Sequence, residues 1–122
     1  MNKEDLKKRT KDFAHGCVNL ALTLPNTILG RHLQGQLIGS CSSVAANYRA
    51  ACVAHSKASF TSKLSIVIEE ADESLFWLEF IIEENLLNAE IVNALIKEAG
   101  ELIAIFISSR KTIQENMKAK NK

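Results

Sequence analysis

Proline and cysteine are scarce in this sequence of 122 residues, and the pattern of a β protein is missing. There is one proline, Pro25, and valine, isoleucine, threonine and aromatic residues do not alternate with a period of two. Short strands separated by turns are therefore not expected. Apolar residues instead recur at every third or fourth position, which is the spacing of one face of a helix. The sequence predicts an all-α protein.

The three cysteines, Cys17, Cys41 and Cys52, are odd in number and lack the spacing of a zinc site. Two of them fall on or beside predicted core faces, which is typical of free buried thiols in a reducing compartment. The N-terminus has no apolar signal segment, and the longest apolar run covers only residues 102–107. A membrane-spanning helix needs about 20 apolar residues. We therefore expect a cytoplasmic protein with no membrane partner.

Patterns typical of catalytic or metal sites are also lacking. Carboxylate di-iron bundles need Glu-x-x-His on two helices, and this chain offers one relative, Asp12-x-x-His15. Cys52 and His55 are three residues apart and could touch, but such a pair near a helix end is more often accidental. The sequence predicts no catalytic residue, no metal site and no cofactor.

Four amphipathic segments predict four helices, at about residues 3–24, 27–55, 58–84 and 89–117. Pro25 ends the first helix because the residue before a proline avoids helical geometry, and Asn26 or Thr27 can cap the second. Short connections join antiparallel neighbours. We expect residues 1–122 to form one domain, an antiparallel up-down-up-down four-helix bundle that oligomerises through its helix faces.

Each predicted helix carries an apolar stripe that marks its buried face. The third helix is apolar nearly all round between residues 75 and 82, whereas a surface helix of a monomer needs only one apolar face. This excess predicts a subunit interface that includes Phe76, Trp77, Phe80 and Ile81. The four stripes, in chain order, are Leu6, Thr10, Phe13, Cys17, Leu20 and Leu24; Leu33, Leu37, Val44, Tyr48 and Ala51; Phe60, Leu64, Val67, Ala71, Leu75, Leu78 and Ile82; and Val92, Leu95, Ala99, Leu102, Phe106, Ser109 and Ile113.

A seam of polar side chains runs along the second helix, formed by Gln36, Ser40, Ser43 and Asn47. Buried polar groups are costly unless each finds a partner. In a hairpin that turns near residue 56, positions at equal height have numbers summing to about 113, so Glu70 lies level with Ser43 and Glu73 with Ser40. We expect a structural network in which Glu70 bonds Ser43, Asn47 or a neighbouring subunit. The alternative is that Glu70 and Glu73 act as acid–base or metal groups.

Two glycines, Gly35 and Gly39, lie four residues apart inside the second helix. Each costs about 1 kcal/mol relative to alanine in a helix interior. No phosphate-binding loop pattern surrounds them. We interpret the pair as space for the close approach of another helix.

Charge is strongly segregated although the net charge is only +1. In an up-down bundle, residues 1–11, 49–65 and 106–122 share one end, which we call the basic pole. It holds thirteen basic and three acidic residues, and the rest of the chain holds two basic and eleven acidic residues. Such a surface attracts nucleic acid phosphates. The candidate residues are Lys7, Lys8, Arg9, Lys11, Arg49, Lys57, Lys63, Arg110 and Lys111.

The basic pole can also be explained by structure alone. Basic residues favour helix C-termini and terminal tails for reasons of dipole and solubility. Lys7, Lys8, Arg9 and Lys11, however, lie near a helix N-terminus, where the dipole disfavours them. No recognition-helix motif or aromatic-rich basic strand is present, so RNA or DNA would be bound without sequence specificity.

Several blocks together resemble a bacterial four-helix-bundle family first named from 23S rRNA intervening sequences. They are LP (24–25), QLIGSCSSVAANYR (36–49), FTSKL (60–64), EEADESLFWL (69–78) and EAGEL (98–102). The resemblance covers nearly the whole chain and implies an up-down bundle that assembles as a homopentamer. It also implies similarity to the accessory protein of diversity-generating retroelements, which binds nucleic acid and reverse transcriptase. Many relatives have a glutamate soon after the asparagine of the second helix, where this chain has Ala50 and Ala51.

Two functions from different classes remain open. The first is a non-enzymatic homo-oligomer, pentameric if the resemblance holds, that serves as a nucleic-acid-associated accessory or scaffolding factor. The second is a protein-binding adaptor that receives partner helices in grooves between subunits and has no role with nucleic acid.

Overall fold

Four helices and no strand make up the computed structural model, which describes residues 1–120. They are α1 (Lys3–Ala21), α2 (Ile28–Cys52), α3 (Lys57–Glu83) and α4 (Ala89–Lys120). The predicted all-α class is confirmed. The first helix ends three residues earlier than predicted, because the N–H groups of Thr23 and Leu24 turn back to the carbonyls of Leu20 and Ala21 before Pro25. The fourth helix extends beyond the predicted end at 117.

Side-chain caps begin the helices. Asn2 and Asp5 form a reciprocal capping box at α1, in which the Asn2 side chain accepts from the Asp5 N–H at 2.8 Å. Thr27 rather than Asn26 caps α2, accepting from the Gly30 N–H at 3.0 Å. Ser56 caps α3 in the same way. Local sequence therefore determines where three of the helices start.

Each helix packs against its neighbour in the chain, and α1 also packs against α4, so the bundle closes into an up-down arrangement. The core contains every residue predicted for the stripes of α1 and α2. In α3 and α4 most stripe positions are buried, and the half-buried ones are Phe60, Leu75, Ile82, Leu95, Ser109 and Ile113. The apolar spacing therefore predicted the rotation of each helix about its own axis.

The glycine pair does not have the predicted role within the chain. A Cβ atom added at Gly35 or Gly39 would meet nothing within 4 Å, and both residues are exposed. Close approach occurs at Gly16 instead, where an added Cβ would lie 3.0 Å from Cδ2 of Leu95 on α4. No helix of the same chain therefore comes close at Gly35 or Gly39, and the close approach of a helix from a neighbouring subunit stays a prediction.

The cysteines are free thiols, and Cys17 and Cys41 are fully buried while Cys52 is half-buried. Cys41 donates weakly to the carbonyl of Ala14 at 3.5 Å, which joins α2 to α1. Contact with Cys41 and burial raise the pKa of the Cys17 thiol. Both effects keep the Cys17 thiol protonated, so Cys17 acts as a small core residue rather than as a nucleophile.

None of the helices within residues 1–120 is long and apolar enough to cross a membrane. The same range contains no metal-binding cluster, meaning a group of at least three histidine, cysteine, aspartate or glutamate side chains that could hold a metal ion.

We expect Gly30→Ala to lower the free energy of unfolding by at least about 1 kcal/mol, because the new Cβ would lie 1.9 Å from the carbonyl oxygen of Pro25, a backbone atom that cannot move aside. Gly100→Ala is the matched control, since a Cβ there meets nothing within 4 Å. The control substitution should raise the free energy of unfolding by up to about 1 kcal/mol, because alanine has the higher helix propensity. Urea denaturation at one protein concentration measures both, and equal effects would contradict the explanation.

Candidate nucleic-acid interface

The basic pole is formed where α1 and α3 begin and α2 and α4 end. Two contacts join these segments directly. The Lys3 ammonium lies 4.9 Å from the centre of the Phe60 ring, which links the start of α1 to the start of α3. Arg110 on α4 donates to the Ser65 hydroxyl on α3 at 3.2 Å. Lys122 lies outside the described residues, and so does the side chain of Lys120.

A groove between α1 and α2 brings together four of the nine candidate residues. Its volume is about 620 Å³, and Lys7, Lys8, Lys11 and Arg49 stand along its edges. We call it the α1–α2 groove. The remaining lining residues are mostly small, namely Ala14, Ala45, Ala46, Ser42, His15 and Glu4. Sequence reasoning missed His15 and Ser42, although their distances of four residues from Lys11 and seven from Arg49 place them on the same helix faces.

Two of the groove lysines carry exposed ion pairs within their own helix. Lys7 lies 2.7 Å from Glu4, and Lys8 lies 2.8 Å from Asp12. The hydrogen bond to Glu4 raises the pKa of Lys7, and the bond to Asp12 raises the pKa of Lys8. Exposed pairs of this kind contribute little to stability. Both ammonium groups therefore remain available to a competing anion.

Arg9 is placed differently from the other candidate residues of α1. Its guanidinium makes two bonds to the Glu98 carboxylate, from Nε at 2.8 Å and from Nη2 at 2.6 Å. Nη2 also lies 3.5 Å from Glu101. The Arg9 and Glu98 side chains are only 24% and 26% exposed. Arg9 therefore joins α1 to α4 as a structural residue, and its charge is already matched.

The other candidate residues of the pole lie outside the α1–α2 groove. Lys57 and Lys111 are exposed, whereas Lys63 and Arg110 are half-buried. Lys57 also lines a second, smaller depression of about 370 Å³ with Lys3, His55 and Phe60. The pole thus divides into a groove on one side of the bundle and a broader basic end.

The polar seam forms a smaller network than predicted. Ser74 donates to the Ser40 hydroxyl at 2.9 Å between α3 and α2, a contact not expected from the sequence. Ser74 is fully buried and also bonds the backbone carbonyl of Glu70 at 2.9 Å. Equal height in the hairpin of α2 and α3 predicts Glu73 as the partner of Ser40. The observed partner, Ser74, is the next residue along the chain. Because one residue rotates a helix by about 100°, that small error exchanges an inward hydroxyl for an outward carboxylate.

Asn47 bonds within its own helix, and Gln36 faces solvent. The Asn47 side chain donates to the backbone carbonyl of Ser43 at 2.9 Å. Glu73 accepts from the Trp77 indole at 3.4 Å on the same helix. Within residues 1–120 the Glu70 carboxylate does not bond Ser43 or Asn47, which corrects that part of the predicted network. A bond from Glu70 to a neighbouring subunit stays a prediction.

Glu70 is half-buried beside two other carboxylates. Burial raises its pKa, and the charges of Glu73 and Glu69 raise it further. All three causes act against the ionised form. This part of α3 therefore carries an acidic surface that a cation or a proton would stabilise.

Aromatic side chains cover the far half of α3. Phe76 is 52% exposed, and Trp77 and Phe80 are half-buried, with ring centres of the three between 4.9 and 6.1 Å apart. We call these three residues the aromatic face. Trp77 also meets His32 at 5.7 Å near the start of α2. Ile81 is fully buried in the core of its own chain, so its assignment to an exposed interface was wrong.

Comparison with known proteins adds a family and a fold. A family model described as "23S rRNA-intervening sequence protein" matches residues 2–108. A crystal structure from Bacteroides thetaiotaomicron VPI-5482, of a protein with unknown function from the S23 ribosomal protein family, is 30% identical with a TM-score of 0.81. The match covers 91% of this chain and 99% of that chain. No curated protein matches the chain.

We expect Arg9→Gln to lower the free energy of unfolding by about 1 kcal/mol or more, because it leaves the half-buried Glu98 carboxylate without its bidentate partner. Lys8→Gln removes the same charge one residue away from an exposed pair and should leave the unfolding midpoint unchanged. Chemical denaturation of the two variants at equal concentration makes the comparison. Equal midpoints would show that Arg9 has no structural role.

Proposed function

The chain belongs to the family of 23S rRNA-intervening sequence proteins, and we propose that it acts without catalysis, as a self-associating helical bundle that binds RNA or DNA through its basic pole. The observation that carries the proposal is the segregation of charge. Thirteen of the fifteen basic residues belong to the three segments of the pole, with three acidic residues among them. The fold brings those segments to one end of the bundle.

The chemistry of this surface suits phosphates rather than bases. Lysine and arginine side chains that neutralise phosphates release bound counterions, which favours binding and makes it depend on salt. Reading a sequence would require side chains that reach base edges in a groove of the nucleic acid. Lys57 and Lys111 are exposed, and no recognition-helix motif accompanies them in the sequence. We therefore propose binding that does not depend on sequence.

Self-association is the second part of the proposal, and the aromatic face supports it. A half-exposed phenylalanine beside two further aromatic rings is unusual on a monomer and typical of an interface. The acidic side chains Glu69, Glu70 and Glu73 lie next to it on α3. The family resemblance implies five copies. An assembly with parallel subunits would place several basic poles side by side and multiply the field that attracts a polyanion.

We expect RNA and DNA to bind the full chain with an affinity that falls steeply between about 50 mM and about 200 mM salt. The double variant Lys11→Glu/Lys111→Glu should weaken binding more than tenfold, because it reverses two exposed charges of the pole. Arg31→Glu/Lys97→Glu makes the same change in net charge at the two basic residues outside the pole, and should change affinity less than threefold. Fluorescence anisotropy with labelled RNA and DNA measures both.

Two results would contradict the nucleic-acid part. One is the absence of binding at low salt, which would favour the alternative of a protein-binding adaptor. The other is an equal loss in the two double variants, which would mean that only the net charge matters.

We expect the protein to have a mass in light scattering of several times 13.5 kDa, the mass of one chain. Phe76→Ser should reduce it towards 13.5 kDa without unfolding, because the side chain is half exposed in the single chain. Ile107→Ser is the matched control, since Ile107 is 43% exposed on α4, and it should keep the assembly intact. A wild-type mass near 13.5 kDa would refute self-association while leaving nucleic-acid binding open.

A further inference from the structure

We propose that the α1–α2 groove is the place where nucleic acid binds, and that its ligand is the phosphodiester backbone of a duplex rather than a single strand. This inference rests on the proposed function. It narrows the binding surface from one end of the bundle to a groove of ten residues, and it narrows the ligand to double-stranded RNA or DNA.

The cations of the groove are arranged along a line that a backbone could follow. Lys7 and Lys11 are one turn apart on α1, about 6 Å along the helix axis, and Lys8 lies between them. Arg49 reaches the groove from α2 on the opposite side. A strand lying between the two helices would therefore meet positive charge from both sides. A flat basic surface would present charge from one side only.

Small side chains leave room for that strand. Ala14, Ala45, Ala46 and Ser42 line the groove together with the three lysines of α1 and Arg49 of α2, and no bulky apolar residue stands among the ten lining residues. Small residues allow another molecule to approach the helix backbones closely. The aliphatic stems of the lysines add apolar surface against which the sugars can pack. The groove therefore offers depth as well as charge.

The existing ion pairs do not block the groove. Lys7 bonds Glu4, itself a lining residue, and Lys8 bonds Asp12, but both pairs are exposed to water. An exposed pair contributes little, so a phosphate can replace the carboxylate at small cost. Lys11 and Arg49 form no ion pair among residues 1–120 and would contact a phosphate without any exchange.

The lack of phenylalanine, tyrosine and tryptophan in the groove favours a duplex, because His15 supplies its only ring. Proteins that bind single strands stack successive bases on aromatic side chains, and none of the ten lining residues is phenylalanine, tyrosine or tryptophan. The aromatic face lies elsewhere, since Trp77 meets His32 near the start of α2, far from the pole. A groove that offers charge and depth but almost no surface for base stacking gains most from the ligand with the highest charge density. A duplex carries one charge per about 1.7 Å of its axis.

The first test removes two charges inside the groove and compares the result with the removal of two charges outside it. Lys11→Gln/Arg49→Gln should reduce duplex affinity at least about tenfold at about 50 mM salt, and should lower the slope of log affinity against log salt by about two. Lys57→Gln/Lys111→Gln removes the same charge from the same pole outside the groove and should lower affinity less than threefold. The probe is a short duplex RNA, together with one of its strands alone.

The second test fills the groove without changing its charge. Ala46 lines the groove and is exposed, so Ala46→Trp leaves the core intact and places a large ring where the strand would lie. We expect a loss of at least fivefold in duplex affinity with an unchanged unfolding midpoint. Ala104→Trp, at an exposed alanine of α4, is the matched control and should bind normally.

Each alternative outcome has a distinct meaning. Equal losses in the two charge variants, or normal binding by Ala46→Trp, would overturn the groove while the basic pole remains the binding surface. Tighter binding of the single strand would overturn the duplex assignment. A fall in mass in light scattering for Lys11→Gln/Arg49→Gln, with duplex affinity retained, would show that a second copy fills the groove. No binding of either probe by the wild type would overturn the proposed function as well.

Discussion

Four apolar stripes must be buried against one another, and this requirement sets the rotation of every helix in the bundle. Each stripe fixes which side of its helix faces the core, and so also fixes which side faces out. The polar seam, the groove lysines and the aromatic face are placed by that choice. Leu37 and Val44 point inward on α2, for example, so Ala45, Ala46 and Arg49 are left on the outer side that faces α1. The packing of the core therefore determines which side chains lie on the surface.

Polar groups near the core show that adjacent residues on one helix can have opposite environments. The hydroxyls of Ser40 and Ser74 bond each other where α2 and α3 meet, so neither is left unpaired in the core. Glu73, one residue before Ser74, faces outward, where Trp77 bonds it. Carboxylates are thus excluded from the interior and gathered on the outer side of α3. There Glu70 remains half-buried with a raised pKa, an arrangement that suits contact with a further molecule.

Basic residues that are adjacent in the sequence have separate roles. Lys7, Lys8 and Lys11 face the groove, while Arg9, on the other side of α1, is held by Glu98 and Glu101 of α4. This run of basic residues therefore divides into one arginine bonded to another helix and three lysines that line the groove. The fold, rather than the count of charges, determines which lysines and arginines can reach a ligand.

The sequence by itself determined the helix class, a cap for the second helix at Asn26 or Thr27, most of the buried stripes and the polarity of charge along the bundle. These depend on local chemistry and on the period of the α-helix, both of which can be read along one chain. Only the tertiary structure decided that Arg9 bonds Glu98, that Ser74 rather than Glu70 meets the seam, that Ile81 lies inside, and that the space at Gly35 and Gly39 stays empty within the chain. Each of these depends on which helix lies opposite, at a height and rotation accurate to one residue. An error of one residue turns a side chain by about 100°, and spacing along a single helix does not supply that accuracy.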